Sequence, residues 1–347
     1  MKCPNCRNNQ KYKDGMRCNM CQYKFALDPK EYFNISDAAF KAVIDKLSGA
    51  GQFYYTYNQL YVQVYKAVRK KHHVKFFELS CFGIILVLIT FALMGSFKVR
   101  WEYIIAVSFI LFCILMFLTS IASKRPFKLE AKIPARIITT YKSLHPLKNL
   151  ADGTKFRHLN KKTLDTEFLE YAPEQILITE RNDMADMLLF NRFHFDNKTL
   201  VLSAKKYPGA AFNACQGFLA NHPDIPVFLI HDCSEEGLKM QGKLLTNKSW
   251  NLKGKNLNNL GLHPKDVDNL KSPVWIPANK DKNILTQGSA HENINQGFTM
   301  PLDIASPSAI IGSLTMAITT GMALLSNELL KAQRESADRG GFGCGFG

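Results

Sequence analysis

The sequence has no apolar segment at its N-terminus, which is polar and rich in cysteine, and its first long apolar run starts only near residue 79. A cleavable signal peptide is therefore not expected. Acidic residues are scarce: 29 aspartates and glutamates stand against 44 lysines and arginines, so the formal net charge is +15. This excess of positive charge predicts a negatively charged partner, either anionic lipid headgroups or nucleic acid.

Charged residues are absent from two long apolar runs, residues 79–97 and 103–122. Each run is about long enough to cross a hydrocarbon core as a helix. Buried core helices are the alternative, but such helices normally show a polar stripe, and these runs show none. Because the link between the runs is short and both flanks are basic, the pattern predicts a transmembrane helical hairpin over residues 76–122. It also predicts an inner (cytoplasmic) membrane location with both termini cytoplasmic.

Two CxxC pairs lie near the N-terminus and are separated by eleven residues: Cys3 and Cys6, then Cys18 and Cys21. This spacing is typical of a zinc ribbon, here residues 1–30, in which each pair directs two thiolates at one Zn²⁺. Disulfides are the alternative, but a cytosolic location keeps thiols reduced. The pattern predicts a closed, structural zinc site with no open position for catalysis.

A helical region is predicted over residues 35–72. Ser36 is a candidate N-cap for a first helix that ends near Leu47, and a second helix follows from about Thr56. Two helices around a glycine turn suggest a helix-turn-helix fragment. The tyrosines of the second helix favour packing over a base-stacking surface. A linker with helices is expected over residues 123–174.

Strands alternate with helices from Gln175 onwards. Short β-rich runs cover residues 175–179, 199–203 and 226–230, and helical patterns lie between them. This alternation predicts a soluble α/β domain over residues 175–300, with a parallel sheet and helices on both faces. Ligands of such sheets bind at the carboxyl ends of the strands, where Glu180 and Asp232 fall.

The segments that begin with Glu180 and continue through residues 200–209, 225–237 and 260–267 closely resemble the Toprim domain of topoisomerase VI A subunits and related meiotic double-strand-break proteins. The resemblance implies a magnesium site with a glutamate after the first strand, at Glu180, and a DxDxxG motif after the third. Asp232 matches the first aspartate of that motif, but Ser234 replaces the second. A neutral hydroxyl weakens a Mg²⁺ site, although Glu236 or Glu235 could compensate.

The same resemblance implies a catalytic tyrosine upstream. Residues 56–62 look like the family's tyrosine motif and make residues 35–72 a candidate winged-helix remnant, but Asn58 stands at the arginine position and Val62 at the nucleophile position. Together with Ser234, these departures indicate a relative that does not cleave DNA. Glu180 and Asp232 would then either retain some Mg²⁺ binding or simply cap helices and pair with lysines.

A helix with one apolar face is predicted over residues 301–335, and a glycine-rich tail over residues 336–347. We expect this helix to pack on the α/β domain or on a partner chain, and a third membrane span is the alternative.

Three functions are consistent with these patterns. The first is a membrane-anchored, non-catalytic Toprim-like protein that recognises nucleic acid or a protein partner at the cytoplasmic face, in a defence system against foreign DNA. The second is a magnesium-dependent nuclease or topoisomerase-like enzyme. The third is a structural scaffold that binds protein partners or further copies of itself.

Overall fold

The computed structural model describes residues 1–32, 35–70, 128–157, 173–270 and 273–320, together with Ile110. Within these residues the chain forms two apolar cores of very unequal size. The small core belongs to the cysteine-rich head, and the large core joins the N-terminal helices to the α/β region. A core as small as that of the head supplies little hydrophobic stabilisation, so the head needs another source of stability.

Two similar antiparallel turns form the head, and each is closed by one backbone bridge, Lys2↔Asn9 in the first turn and Arg17↔Lys24 in the second. A short 3-10 helix, Tyr12–Asp14, lies between the turns. The core that they share consists of Cys3, Cys18 and Phe25. Buried thiols therefore occupy the centre of the head.

The head is attached to the rest of the chain through Asp37, which is fully buried. The Asp37 carboxylate accepts hydrogen bonds from the Tyr23 hydroxyl at 2.9 Å and from the backbone N–H of Leu27 at 2.8 Å. The Tyr23 ring also stacks on the His145 ring, with 4.5 Å between their centroids. These contacts bind the end of the head to the two helices that carry Asp37 and His145.

The N-terminal helices surround a short parallel strand pair. Helix α1 is Asp37–Leu47, and the Ser36 hydroxyl caps it by accepting a hydrogen bond from the Ala39 N–H at 3.3 Å. The other elements are β1 (Tyr55–Thr56), α2 (residues 57–70), α3 (Lys132–Leu144) and β2 (Leu150–Ala151), which pairs with β1.

The main sheet has four parallel strands: β3 (Gln175–Thr179), β4 (Thr199–Ser203), β5 (Val227–Ile230) and β6 (Leu257–Asn259). They lie in the order β4-β3-β5-β6. The helices between them are α4 (Asn182–Phe190), α5 (Phe193–Asp196), α6 (Gly209–Asn221) and α7 (Glu235–Thr246). Every residue of β4 and β5 is buried, as expected for strands covered on both faces. The predicted parallel α/β fold is confirmed.

Strands β3 and β5 are neighbours, but the chain leaves them towards opposite edges of the sheet, to β4 and to β6 respectively. Right-handed crossovers then place the helices that follow β3 and β5 on opposite faces. Such a switch point opens a crevice at the carboxyl ends of the two strands. Glu180 and Asp232 lie at this crevice because they follow β3 and β5.

The remaining elements extend the large core beyond the sheet. They are α8 (Pro264–Asp268), the antiparallel pair β7 (Ile276–Pro277) and β8 (Phe298–Thr299), α9 (Ala290–Asn295), a 3-10 helix (Leu302–Ile304) and α10 (Pro307–Thr320). Helix α10 buries Ile310 and Leu314 completely. The rest of the predicted C-terminal helix and the glycine-rich tail, residues 321–347, lie outside the described residues.

No helix within the described residues combines the length and the apolar character that a bilayer span requires. Helix α10, with 14 residues, extends about 21 Å, whereas a hydrocarbon core is about 30 Å thick. This finding contradicts the predicted transmembrane hairpin over residues 76–122. It also contradicts the predicted inner-membrane location with cytoplasmic termini. Apart from Ile110, the hairpin residues lie outside those that the structure describes.

Candidate functional site

The four N-terminal cysteines converge on one point. Their sulfur atoms all lie within 4.8 Å of one another. Sγ of Cys3 lies 3.6 Å from that of Cys21, and Sγ of Cys6 lies 3.5 Å from that of Cys18. A tetrahedral Zn²⁺ with Zn–S bonds of about 2.3 Å requires sulfur atoms about 3.8 Å apart, whereas a disulfide requires about 2.0 Å. The cluster therefore fits a metal ion such as zinc, and not a pair of disulfides.

The backbone of each turn is shaped to present its two thiols. Arg7 and Gln22 each follow the second cysteine of a CxxC pair, and both adopt a left-handed conformation, with φ of 62° and 59°. Backbone hydrogen bonds, first from Cys21 and then from Met20, lower the pKa of the Cys18 thiol to about 6. Thiolate is the form that binds metal, so these bonds favour metal binding at Cys18. At Cys6 a backbone hydrogen bond from Asn8 lowers the thiol pKa, but burial and the neighbouring thiols raise it to about 12.

At the carboxyl edge of the sheet, the structure brings together three of the sequence-predicted residues. The Asp232 backbone N–H donates to Oε2 of Glu180 at 2.8 Å, and the Ser234 hydroxyl lies 3.5 Å from Oε1 of Glu180. This juxtaposition follows directly from the pairing of β3 with β5. We call the group formed by Glu180, Arg181, Asp232 and Asp303 the acidic centre.

Ser234 acts as the N-cap of helix α7. Its hydroxyl oxygen accepts a hydrogen bond from the Gly237 N–H at 2.9 Å. Gly237 has a steric role, since a Cβ at this position would lie 2.3 Å from the carbonyl oxygen of Asp232 and 2.9 Å from Oε2 of Glu180. The segment from Asp232 to Gly237 therefore forms a tight turn against Glu180, and within it the Ser234 hydroxyl caps helix α7.

A residue that the sequence did not single out, Arg181, fills the acidic centre. Its guanidinium donates to Oδ2 of Asp232 at 2.6 Å and to Oδ1 of Asp303 at 3.1 Å, and its Nε donates to Asp183 at 2.9 Å. Burial opposes the charged guanidinium, but Asp232, Asp303 and Asp183 together raise the pKa of Arg181 well above its usual value. A permanent positive charge therefore lies among these carboxylates.

The carboxylates of Asp232 and Asp303 each accept a further hydrogen bond besides those from Arg181. The second oxygen of Asp232 accepts a hydrogen bond from the Leu302 N–H at 2.8 Å. Asp303 is completely buried, and besides Arg181 it accepts a hydrogen bond from the Thr56 hydroxyl. The position of Arg181 next to Glu180 was the one available sequence signal for this arrangement. Asp303 gives none, because it lies 122 residues from Arg181 and outside the alternating strands and helices.

Glu180 is the acid of the centre that faces the crevice. Burial, and then the negative charge of Asp232, raise the pKa of the Glu180 carboxyl to about 7. Glu236, one of the two glutamates that could compensate for the missing aspartate, is exposed on α7 and forms an ion pair with Lys243. Among the described residues, the four cysteines form the one group of three or more candidate ligands whose ligand atoms come close enough to share an ion.

A cleft of about 510 Å³ opens beside Glu180, and we call it the α7 cleft. It lies at the carboxyl ends of β3 and β4, against one side of α7 and the 3-10 helix Lys248–Trp250. Its lining residues are Glu180, Arg181, Ala204, Lys205, Glu236, Met240, Lys243, Leu244, Asn247 and Trp250. The cleft combines cationic groups at its mouth with apolar side chains.

The structure places the candidate tyrosine motif, residues 56–62, at the start of α2. Val62, at the nucleophile position, is completely buried, and the hydroxyl of Tyr61 donates to the backbone carbonyl of Ala131 at 2.7 Å. The first residue of the motif contacts the acidic centre, through the hydrogen bond from Thr56 to Asp303. Neither Val62 nor Tyr61 is placed to attack a substrate.

Comparisons with family models, with curated proteins and with solved structures gave no significant match for this chain.

Proposed function

We propose that this chain is a Toprim-like protein that recognises nucleic acid without cleaving it, and that a structural zinc ion holds its cysteine-rich head together. The order of its parts supports a Toprim-like α/β region. One acidic residue follows β3, a second follows the neighbouring β5, and Gly237 lies in the first turn of the next helix.

The observation that carries the non-cleaving proposal is the Arg181 guanidinium within the acidic centre. In metal-dependent strand cleavage, Mg²⁺ neutralises clustered carboxylates and stabilises the charge that develops on the phosphate. Here Arg181 already forms ion pairs with Asp232 and Asp303. A magnesium ion would have to displace a buried cation and would find a neutral hydroxyl at Ser234, so we expect no Mg²⁺-dependent cleavage.

Charge supports nucleic acid as the partner. The chain carries a net charge of +15, of which residues 175–300 contribute only +2, from 14 lysines and arginines and 12 aspartates and glutamates. The lysines of this region include Lys205, Lys206, Lys239, Lys243, Lys253 and Lys255. A basic surface gains affinity for a polyanion when the phosphates release their counterions. This mode of binding requires no metal.

Magnesium titration by calorimetry on the full-length chain tests the role of Arg181. We expect no binding by the wild type or by Ser234→Asp, and binding by the double variant Arg181→Gln, Ser234→Asp, in which a neutral amide replaces the guanidinium and a carboxylate replaces the Ser234 hydroxyl. If the double variant is unstable, a rise in its melting temperature with Mg²⁺ provides the same information. Magnesium binding by Ser234→Asp alone, or wild-type cleavage that disappears in Glu180→Ala, would overturn the non-cleaving proposal.

Binding of single- and double-stranded oligonucleotides, measured by fluorescence anisotropy at several salt concentrations, tests the partner. We expect binding in the presence of EDTA, with an affinity that falls steeply as salt increases. An affinity that does not depend on salt, or the absence of binding at low salt, would rule out nucleic-acid recognition and favour the protein scaffold.

A further inference from the structure

We infer that the α7 cleft binds a nucleoside monophosphate group, with the phosphate at Lys205 and the base against the apolar side of the cleft. The inference rests on the proposed function, because it names which part of a nucleic acid this site would receive. The same chemical group occurs in a free nucleotide and at the phosphorylated end of a strand.

The position and size of the cleft suit a small ligand. It opens at the carboxyl ends of two parallel strands, next to the switch point between β3 and β5 where ligands of such sheets bind. Its volume of about 510 Å³ lies within the range of about 300–1,000 Å³ that small-molecule sites occupy. One nucleotide fills such a space, whereas a duplex does not enter it.

One side of the cleft is apolar and rigid. Met240 and Leu244 lie four residues apart on α7, so they share one helix face. Trp250 completes this side, and its ring is held in an edge-on contact with Phe212, with 4.7 Å between centroids. A planar, weakly polar group such as a nucleobase fits an apolar side of this kind.

The mouth of the cleft is cationic. Lys205 is exposed and forms no ion pair within the part of the chain that the structure describes, and Lys243, which pairs with Glu236, also lines the cleft. The backbone after β4 holds Lys205 in a tight turn, in which its N–H donates to the Ser203 hydroxyl at 3.2 Å. Lys243, and to a smaller extent Lys205, lower the pKa of the Glu236 carboxyl, so a phosphate at Lys205 would compete with Glu236 for this positive charge.

Two further groups favour an anion with hydrogen-bonding edges. Oδ1 of Asn247 accepts from the Ser249 N–H at 3.1 Å and from the Ser249 hydroxyl at 2.6 Å, which leaves its Nδ2 as a donor at the cleft. Glu180 borders the opposite end and can donate a proton to an acceptor when it is protonated. The cleft thus offers donors to phosphate and to base, while the carboxylate of Glu236, and that of Glu180 above about pH 7, oppose a phosphate.

The test compares oligonucleotides of one sequence that carry a 5′-phosphate, a 3′-phosphate or no terminal phosphate, with 5′-AMP and inorganic phosphate as competitors. We expect the full-length chain to bind at least one phosphorylated form about tenfold more tightly than the unphosphorylated strand, the size of effect that one charged contact gives. Lys205→Ala should remove this preference. Lys206→Ala is the matched control, because Lys206 is the next residue and lies over the Phe212 ring, outside the cleft lining.

Competition by 5′-AMP, but not by inorganic phosphate, would assign the cleft to free nucleotides, and preference without competition would assign it to strand ends. Equal affinity for all three strands together with no 5′-AMP binding would overturn the inference, as would equal effects of Lys205→Ala and Lys206→Ala. If strands bind tightly without regard to their ends or to Lys205, nucleic-acid recognition stands and the cleft inference fails. If no strand binds, the proposed function fails, and direct titration with 5′-AMP decides the cleft.

Discussion

The cysteine cluster and the acidic centre solve the same electrostatic problem in opposite ways. Each gathers several negatively charged or ionisable ligands in one place, and each needs a cation to make that arrangement stable. The cysteine cluster contains no basic side chain between its thiols and fits an external metal ion. The acidic centre contains Arg181, so its cation is covalently part of the chain. The geometry of the ligands alone therefore does not identify a metal site. A basic side chain among the ligands, such as Arg181, takes the position that a metal ion would need.

The two sites also differ in how they are assembled. The cysteines come from two local turns between residues 3 and 21, whereas the acidic centre joins side chains separated by up to 247 residues, from Thr56 to Asp303. A local site can lose its ligand and leave the rest of the fold intact. A site built from distant segments loses long-range order when its cation is removed.

Loss of the zinc ion from the cysteine cluster should give the largest of the expected changes. We expect Cys18→Ser to lower the zinc content of the purified full-length chain from about one ion per chain to near zero, because three thiolates form an open and weaker site. Elemental analysis measures this, and Cys215→Ser, in the buried part of α6, is the matched control that keeps its zinc. Full zinc occupancy in Cys18→Ser would contradict the four-ligand site, and with it the contrast between the cysteine cluster and the acidic centre.

Removal of the internal cation comes next. Arg181→Gln leaves Asp232 and Asp303 as buried, unpaired carboxylates, and breaking a buried pair in this way costs about 3–5 kcal/mol. Urea unfolding should show this loss at pH 7, and a double-mutant cycle with Asp303→Asn should give a strong coupling energy. Zinc content should not change. If the free energy of unfolding falls by less than about 1 kcal/mol, the ion pairs of Arg181 contribute no more than surface ion pairs do. The acidic centre would then not depend on its cation as the cysteine cluster does.

The acid that faces the cleft should make stability depend on pH. The pKa of Glu180 is raised from 4.5 to about 7, so the fold favours its protonated form. Its contribution to stability is complete below pH 4.5 and is lost as the pH rises through about 7. We expect the wild type to lose about 2 kcal/mol more than Glu180→Gln between pH 5 and pH 8, allowing for partial exposure. Parallel pH profiles of the two proteins would show that Glu180 is not perturbed.

The smallest effect should come from the serine at the missing aspartate position. Ser234→Ala removes the N-cap of α7 and should lower the free energy of unfolding by about 1 kcal/mol, whereas Ser234→Asp should keep the cap. Equilibrium denaturation of both variants measures the difference. If Ser234→Asp destabilises more than Ser234→Ala, repulsion from Glu180 outweighs capping and the centre is more acidic than Arg181 can balance.

Local patterns predicted much of this molecule. Alternating apolar runs predicted β3, β4 and β5, CxxC spacing predicted the cysteine cluster, and strand order brought Glu180 close to Asp232. Arg181 and Asp303 could not be predicted, because their pairing depends on how distant segments meet, and no local periodicity reports that. The predicted membrane hairpin is wrong, because hydropathy of residues 79–97 and 103–122 is not sufficient by itself to predict a membrane span.

The hydrogen bond from Thr56 to Asp303 also determines where the chain can be divided. A fragment that ends at residue 300 would contain the whole sheet, yet it would separate Arg181 from one of its two buried partners. A fragment that begins after α2 would leave Asp303 without the Thr56 hydroxyl. Excision of either part therefore removes a hydrogen-bond partner from the acidic centre. The helical region and the sheet therefore form one structural unit. A substitution at residue 56, 181, 232 or 303 limits which side chains the other three positions can accept.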